Sequence, residues 1–378
     1  MNSRTAKDAA PRTAEAADTG CPLSGSLAHS AGGPEGASAG DARIDSSAEA
    51  KYVHILCPRC GADDARFRYR LEVSSIVSCR ACGQSYVDPR VSSVDLERKL
   101  QQWAEQDVVD DERLCSAFEP GSLQYYARFL TWMTRYASGP GRRLLDIGCS
   151  TGAFLTVARE AGWQVQGVEI GRASATYARD VLGLDVRRGS LYEVDAPPSS
   201  FDGVAMIEVI EHLEHPRLAL DRVRRLLKPD GVLLVTTPNF DSLYRRLFGS
   251  RWWVINCEDE HIVLFNLTTL VGMLDDAGFD VLFRHIRGVD FMGLLREAKR
   301  GRLGAVPALS PPGAAVKGYY EARSAKARVK ALLGSVGILK LTRSLLRGLD
   351  HSYAWRASPT HAWGEQLVVV ARRRPDIT

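Results

Sequence analysis

Long apolar runs are absent from this 378-residue sequence: no stretch of eighteen apolar residues occurs, and the N-terminus lacks the apolar core of a signal peptide. Because a membrane-spanning helix needs about 20 such residues, we expect neither a transmembrane segment nor export. The formal net charge is only +4, which by itself does not indicate a nucleic-acid-binding protein. The composition predicts a cytoplasmic globular protein with one α/β domain and a small accessory unit.

Large apolar side chains are also scarce in residues 1–50, where Ala, Gly, Ser, Pro, Asp and Glu predominate. Such a segment buries too little surface to offset the conformational entropy that folding would cost. We therefore predict a disordered tail before the folded part of the chain.

Cysteine is sparse, and four of the eight cysteines form two C-x-x-C pairs separated by eighteen residues. The paired residues are Cys57, Cys60, Cys79 and Cys82. Gly61 and Gly83 follow the pairs and permit the positive φ that such turns need. This spacing is typical of a zinc ribbon, in which four thiolates close a structural site. We predict bound zinc that stabilises a segment too small for its own core; two unrelated cysteine turns are the alternative.

Downstream of residue 120, helical and strand patterns alternate along the chain. An apolar helical face covers residues 123–133, and Gly-Pro-Gly at 139–141 ends that helix. Strands are predicted at 143–147, 164–169, 184–188, 201–207 and 231–237, with helices at 152–161, 172–182 and 216–227. This alternation predicts a doubly wound α/β fold that binds its ligand at the carboxyl ends of the strands.

The stretch RRLLDIGCSTGAFL combines the end of a buried strand, a glycine turn and the start of a helix. A dinucleotide-binding fold would have G-x-G-x-x-G here, and that spacing is missing. Asp146, Gly148, Ser150 and Gly152 instead keep a D-x-G-x-G-x-G frame in which serine replaces the middle glycine. A further acidic residue, Glu169, ends the next predicted strand, where a carboxylate can accept hydrogen bonds from two ribose hydroxyls.

On these residues, region 120–290 resembles the class I S-adenosylmethionine-dependent methyltransferases, and the stretches FDGVAMIEVIEHL and LLKPDGVLLVTTPN support the resemblance. It implies a Rossmann-like, seven-stranded sheet closed by an antiparallel pair at 279–286 and 366–372. It also implies S-adenosylmethionine as cofactor, with Glu169 on the ribose and Leu191 against the adenine. The implied cofactor-binding residues are Asp146, Gly148, Ser150, Gly152, Glu169, Ser190, Leu191 and Glu208.

A second metal site is a further hypothesis. Glu208, Glu211 and His212 lie at i, i+3 and i+4, so one helical turn would place them on a common face, and His261 follows in a later loop. The set resembles the metal-binding residues of small-RNA terminal 2′-O-methyltransferases and of ubiquinone-pathway catechol O-methyltransferases. The resemblance implies a divalent ion at the acceptor site, with Glu211, His212 and His261 as catalytic candidates and either histidine as the alternative general base. A cofactor contact or a helix cap is the alternative role for Glu208.

A basic insertion separates the last two predicted strands. Between residues 296 and 347, twelve Lys and Arg stand against two Glu, and the stretch VKALLGSVGILKLTRSLLRGL has the mixed apolar and basic rhythm of an interfacial helix. We expect peripheral contact with an anionic membrane or a lipid-linked substrate at the inner face of the membrane. A nucleic-acid backbone would suit the same charge, and a lid helix with a solvated basic face is the alternative.

The expected domain boundaries follow from these patterns. They are a tail at 1–50, a zinc ribbon at 51–92, a helical linker and N-terminal helix at 93–138, the cofactor-binding core at 139–290, the basic insertion at 291–362, and the final strand at 363–378.

The function expected from the sequence is O-methylation of a sugar, a lipid-linked glycan precursor or a related small molecule. The ribbon, the core and the stretch FGSRWW together resemble bacterial methyltransferases of glycan and secondary-metabolite synthesis. Two alternatives stay open at this point. An RNA 2′-O-methyltransferase-like enzyme is suggested by the Glu/His set, and a non-catalytic cofactor-binding or zinc scaffold module by the serines at positions 150 and 190.

Overall fold

The structure is a computed structural model, and it describes residues 51–138, 142–255, 260–288 and 363–375. The predicted tail at 1–50 and the predicted basic insertion at 291–362 lie outside the described residues. The membrane, lipid and nucleic-acid contacts predicted for 296–347 lie there as well.

Thirteen strands and eight helices make up the described part of the chain. The strands are β1 Tyr52–Val53, β2 Ala65–Arg70, β3 Ser75–Cys79, β4 Ser85–Val87, β5 Arg90–Val91, β6 Arg143–Ile147, β7 Gln164–Glu169, β8 Val186–Arg188, β9 Phe201–Ile207, β10 Leu227–Pro238, β11 Val263–Leu264, β12 Phe279–Arg287 and β13 Gln366–Arg373. The helices are α1 Ser93–Gln106, α2 Asp111–Phe118, α3 Pro120–Tyr136, α4 Ala153–Glu160, α5 Arg172–Thr176, α6 Pro216–Leu226, α7 Leu243–Phe248 and α8 Leu267–Asp276.

The main sheet has seven strands in the order β12-β13-β10-β9-β6-β7-β8. Strands β6 to β10 run parallel, and β13 pairs antiparallel with both β10 and β12. The predicted doubly wound, seven-stranded α/β fold with an antiparallel closing pair is therefore confirmed. Some boundaries differ: β8 begins at Val186 rather than at 184, and α5 ends at Thr176 rather than at 182. Strand β10 begins at Leu227 and passes the Lys-Pro-Asp-Gly stretch as a bulge before it resumes regular pairing at Val232.

Helices cover both faces of this sheet. One core cluster lies between the sheet and α6 and α8, and a second lies between the sheet and α3 and α4. The central strands β9 and β10 are buried on both faces, which explains why their sequences are continuous apolar runs rather than alternating ones. Parallel strands bring their carboxyl ends to one edge of the sheet, and the candidate site lies at that edge.

The cysteine-containing segment forms a separate four-stranded sheet in the order β11-β4-β3-β2. Strands β2, β3 and β4 come from the predicted ribbon, but β11 comes from the core, between the loop that carries His261 and α8. A ribbon confined to residues 51–92 is therefore an incomplete description of this sheet. Sequence patterns did not reveal this pairing because β11 is only two residues long and lies 176 positions after β4.

No helix within the described ranges combines the length and the apolar composition that a membrane crossing requires.

Candidate active site

The glycine turn follows β6 and opens into α4. Gly148, Ser150 and Gly152 all have positive φ, at 71°, 48° and 84°. A Cβ on Gly152 would lie 2.5 Å from Leu184 Cδ1, so both the backbone conformation and the packing require glycine there. The turn borders a recess that is open to solvent and is lined also by Tyr126 and Ile207.

Glu169 lies across the turn, at the carboxyl end of β7. Its Oε2 accepts a hydrogen bond from the Ser150 amide at 2.7 Å and its Oε1 accepts one from the Gly171 amide at 2.7 Å. The side chain is buried, and this burial raises the pKa of Glu169 while the two amides lower it. The carboxylate predicted to bind the ribose thus also joins the glycine turn to the loop after β7.

Two further residues at the turn, Asp107 and Arg113, were not predicted as part of the site. Arg113 Nη2 donates a hydrogen bond to Ser150 Oγ at 3.1 Å, and its Nη1 pairs with Asp107. Asp107 Oδ2 accepts a hydrogen bond from the Ser174 amide at 2.7 Å. Ser150, which replaces the glycine of the family, therefore accepts a hydrogen bond from Arg113. This bond and the contacts of Asp107 hold the segment between α1 and α2 against the glycine turn. No motif in the sequence marks this pair.

The other predicted cofactor residues have different environments. Asp146 is buried at the end of β6, where burial and the charge of Glu169 raise its pKa well above the usual range. Leu191 is buried in the core cluster that lies between the sheet and α6 and α8, and its predicted contact with the adenine stays a prediction. The Ser190 hydroxyl donates a hydrogen bond to Glu193 Oε2 at 2.9 Å in an exposed capping box, so its side chain already has a partner within the protein.

Glu211, His212 and His261 converge at the carboxyl end of β9, and their ligand atoms all lie within 4.8 Å of one another. Glu211 and His212 occupy a single 3₁₀ turn, Ile210–His212. His261 reaches the same point from the loop before β11, with its ring centroid 4.7 Å from that of His212. The Val209 side chain is next to Gly148 of the glycine turn, so this cluster and the recess are neighbours.

The hydrogen bonds of the two histidines fix which ring nitrogens can act as ligands. His212 Nδ1 lies 2.8 Å from the Glu260 carbonyl oxygen, and His261 Nδ1 lies 3.0 Å from that of Val254. A carbonyl only accepts, so each Nδ1 carries the proton and each Nε2 offers a lone pair. Burial lowers the pKa of His212 to about 4, with the charge of His261 adding to the effect, and burial also lowers the pKa of His261.

Of the three side chains, Glu211 has the fewest hydrogen bonds to offset the cost of its burial. Its side chain is 2 % exposed, and neither carboxylate oxygen accepts a hydrogen bond from the described residues. Burial and the neighbouring charge of Glu208 raise its pKa well above the usual range, against a lowering contribution from the Thr237 hydroxyl. Two ring nitrogens with lone pairs and a buried carboxyl group thus face one another, an arrangement that a cation or a proton stabilises.

Glu208 is the member of the predicted metal set that the structure keeps apart from this cluster. It has a left-handed φ of 54°, so residues 208–212 do not form the single helical turn that the i, i+3, i+4 spacing assumed. Its Oε1 instead accepts hydrogen bonds from Thr236 Oγ1 at 2.8 Å and from Gln366 Nε2 at 2.6 Å. Arg287 donates to Gln366 Oε1 at 3.1 Å, so the two closing strands hold this carboxylate in place.

The four paired cysteines also come together as predicted. The Sγ atoms of Cys57 and Cys82 are 3.5 Å apart and those of Cys60 and Cys79 are 3.6 Å apart, and all four lie within 4.8 Å of one another. Four sulfurs at the zinc–sulfur bond length of about 2.3 Å would be separated by about 3.8 Å. The donor set therefore fits a tetrahedral zinc ion, and none of the described cysteines forms a disulfide.

Comparison with known proteins assigns part of the chain to a class of domain. The model of a family described as "Methyltransferase domain" matches residues 118–282. A probable S-adenosylmethionine-dependent methyltransferase from Mycolicibacterium smegmatis is 31% identical over 142 residues, which are 37% of this chain and 53% of that protein. A ubiquinone biosynthesis O-methyltransferase from Hahella chejuensis is 27% identical over 183 residues, 46% of this chain and 76% of that protein.

The match spans only about half the length of the first of these relatives. Among solved structures, a SAM-dependent methyltransferase from Archaeoglobus fulgidus aligns with 70% of this chain and 100% of its own, at 19% identity and a TM-score of 0.42. The family match and the sequence relatives support a class I S-adenosylmethionine-dependent methyltransferase domain over residues 118–282. S-adenosylmethionine is the cofactor of that family.

We predict that Glu169→Ala weakens binding of S-adenosylhomocysteine at least tenfold. The change removes two hydrogen bonds to an ionised acceptor that shape the turn, each contributing about 1.5–3 kcal/mol, and it removes the expected ribose ligand. Isothermal titration of the purified protein measures the effect. Glu160→Ala, at an exposed position on α4, is the control and should bind as the wild type does; equal affinity in both variants would contradict the assignment of Glu169.

Proposed function

We propose that this protein transfers the methyl group of S-adenosylmethionine to a hydroxyl oxygen of a small acceptor. The observation that carries the proposal is the cluster of Glu211, His212 and His261 beside the glycine turn, where three electron-pair donors are held without hydrogen-bond donors between them. Such a cluster can hold a divalent cation or take up a proton, and deprotonation of a hydroxyl needs one or the other.

The residues of the site would have the following roles. The glycine turn, Glu169 and Leu191 bind and orient the cofactor, which supplies the methyl group on its sulfonium. Glu211, His212 and His261 would hold a divalent ion, which would supply Lewis-acid polarisation of the acceptor hydroxyl. In the alternative without an ion, either His212 Nε2 or His261 Nε2 would accept the hydroxyl proton instead, because burial lowers the pKa of both rings and leaves Nε2 unprotonated at neutral pH.

The geometry of the two histidines supports metal binding over a structural role. Metal-ligating histidines characteristically donate the other ring N–H to a backbone carbonyl or a carboxylate, which fixes the ring orientation and the tautomer. His212 and His261 both do so, to Glu260 and Val254. Two imidazoles and one carboxylate form a set typical of transition-metal sites that leave coordination positions open for a substrate.

Structural zinc at Cys57, Cys60, Cys79 and Cys82 is a second part of the proposal, supported by the sulfur–sulfur distances. The thiolates must remain reduced to bind the ion, which favours a reducing, cytoplasmic setting. The sheet around them has a small core of its own, with Val77 and Tyr86 against the cysteines, and a metal would contribute folding free energy that this core cannot supply.

The acceptor that we propose is a sugar, a lipid-linked glycan precursor or a related small molecule. The recess at the glycine turn opens to solvent beside the Glu211, His212 and His261 cluster, so a small acceptor can reach both. Relatives named as ubiquinone biosynthesis O-methyltransferases favour oxygen as the atom that receives the methyl group. An exposed Trp253 stands 5.9 Å from the His261 ring and offers a flat apolar surface on which the ring of an acceptor can lie.

We expect the purified protein to contain one zinc ion per chain, released stoichiometrically when a mercurial reagent modifies its thiols. Colorimetric titration of the released metal measures this number. Cys149→Ser, at a buried cysteine outside the cluster, should leave the zinc content unchanged, whereas Cys60→Ser should reduce it. Equal zinc in both variants, or none in the wild type, would overturn the assignment.

We predict that Glu211→Gln lowers kcat by at least 100-fold and abolishes binding of one divalent ion outside the ribbon. The amide removes the anionic ligand while it keeps the size of the side chain, and Lewis-acid assistance contributes several kcal/mol. Mn²⁺ binding by electron paramagnetic resonance and single-turnover kinetics measure the two effects. His215→Ala, at a side chain that is 61 % exposed, should change neither; full activity of Glu211→Gln after metal removal would refute the metal-assisted mechanism.

The acceptor class is tested by incubating the enzyme and radiolabelled S-adenosylmethionine with an extract from cells that lack the enzyme. We expect label in the lipid, polysaccharide or small aqueous fractions, released by chemistry specific for methyl ethers. Label confined to RNA would favour the 2′-O-methyltransferase alternative. Failure to bind S-adenosylhomocysteine, together with no label in any fraction, would contradict the enzyme proposal itself.

A further inference from the structure

We propose that the cysteine-containing sheet positions the acceptor site, and that Gln84 is the positioning residue through which it acts. This inference rests on the proposed function, because it concerns the geometry of Glu211, His212 and His261. Its basis is a set of hydrogen bonds and apolar contacts that join the cysteine turn to the segment carrying His261.

The first connection is the backbone. Strand β4 pairs antiparallel with β11, Tyr86 opposite Val263 and Ser85 opposite Leu264. The ladder extends toward the site, since the Val87 amide donates to the Ile262 carbonyl at 3.1 Å. The Ile262 amide in turn donates to the Glu211 carbonyl at 3.0 Å. The residue directly after His261 therefore bridges the cysteine-containing sheet and the turn that carries Glu211.

The second connection is the side chain of Gln84, which is completely buried. Its Nε2 donates to the Leu264 carbonyl at 2.8 Å and to the Ser85 carbonyl at 3.1 Å. The backbone carbonyl of Gln84 accepts a hydrogen bond of 2.8 Å from the amide of Cys79, and its side-chain Oε1 has no hydrogen-bond partner among the described residues. Gln84 thus joins the backbone of the second cysteine turn to β11, and the two bonds from Nε2 offset part of the cost of burying its amide group.

The third connection fixes the partner of the His261 ring. The Val254 carbonyl accepts the Nδ1 proton of His261, and the Val254 side chain is buried in a cluster with Ile76 of β3 and Val87 of β4. The cysteine-containing sheet therefore supports both the backbone beside His261 and the carbonyl that orients its imidazole. It also explains why β11 belongs to that sheet rather than to the main one.

These contacts predict that loss of the Gln84 amide loosens the acceptor site without affecting the cofactor site. Partners that orient metal ligands typically change metal affinity 10–100-fold when they are removed. The glycine turn and Glu169 make none of the contacts described for Gln84, so binding of S-adenosylhomocysteine should be independent of it.

The test compares wild type with Gln84→Met, which keeps the side-chain length and removes the donor. The matched control is Gln101→Met, at an exposed glutamine of α1. For Gln84→Met we expect Mn²⁺ affinity at least tenfold weaker by electron paramagnetic resonance, with unchanged S-adenosylhomocysteine affinity and unchanged zinc content, all measured well below the unfolding temperature. Gln101→Met should match the wild type throughout.

Unchanged Mn²⁺ affinity in Gln84→Met would overturn the proposal, and so would a parallel loss of Mn²⁺ and S-adenosylhomocysteine binding, since that would indicate general destabilisation. If the wild type binds no Mn²⁺ outside the ribbon, the proposed metal centre is refuted. Amide hydrogen exchange then tests the positioning role of Gln84 independently of any metal. Faster exchange of the Ile262 amide in Gln84→Met, with the Gly148 amide unchanged, supports positioning; equal rates at Ile262 refute it.

Discussion

The buried carboxylate of Glu211 is the constraint around which the rest of this site is arranged. A carboxylate removed from water and given no hydrogen-bond donor carries a free-energy cost of several kcal/mol, which falls only when it binds a proton or a cation. His212 and His261 do not relieve the cost themselves, because each directs its Nδ1 proton to a backbone carbonyl and presents a lone pair to the shared space. Keeping these three side chains close together therefore lowers the stability of the folded protein, as is common at functional sites.

Holding these ligands requires support from two separate sheets. The main sheet delivers Glu211 and His212 from the end of β9, next to the glycine turn that follows β6. The cysteine-containing sheet delivers His261 through β11. Neither sheet alone positions all three side chains. This gives a physical reason for combining the cysteine-containing sheet with the main sheet: a rigid second sheet fixes the loop that carries His261, which a single sheet would leave unsupported.

Much of this could be predicted from the sequence, since local patterns carried it. The glycine turn, the acidic end of β7 and the two cysteine pairs each have a fixed spacing with a stereochemical cause, and the alternation of strands and helices gave the fold class. The contributions of Asp107, Arg113 and Gln84 could not be predicted, because their partners are distant in sequence and no motif marks them. The short strand β11 escaped prediction for the same reason: two residues have no periodicity.

Glu208 shows why spacing alone did not predict which side chains converge. The i, i+3, i+4 rule holds only if every residue in the set is helical, and Glu208 has a left-handed φ instead. For a residue other than glycine such a conformation costs about 1–3 kcal/mol and persists only where the surroundings enforce it. Thr236 and Gln366 enforce it here by hydrogen bonds to a single oxygen, Oε1. Glu208 therefore stays with Thr236 and Gln366, while Glu211, His212 and His261 converge, although its charge still contributes to the raised pKa of Glu211. The backbone conformation at Glu208, rather than the spacing of the residues in the sequence, decides which side chains form the cluster.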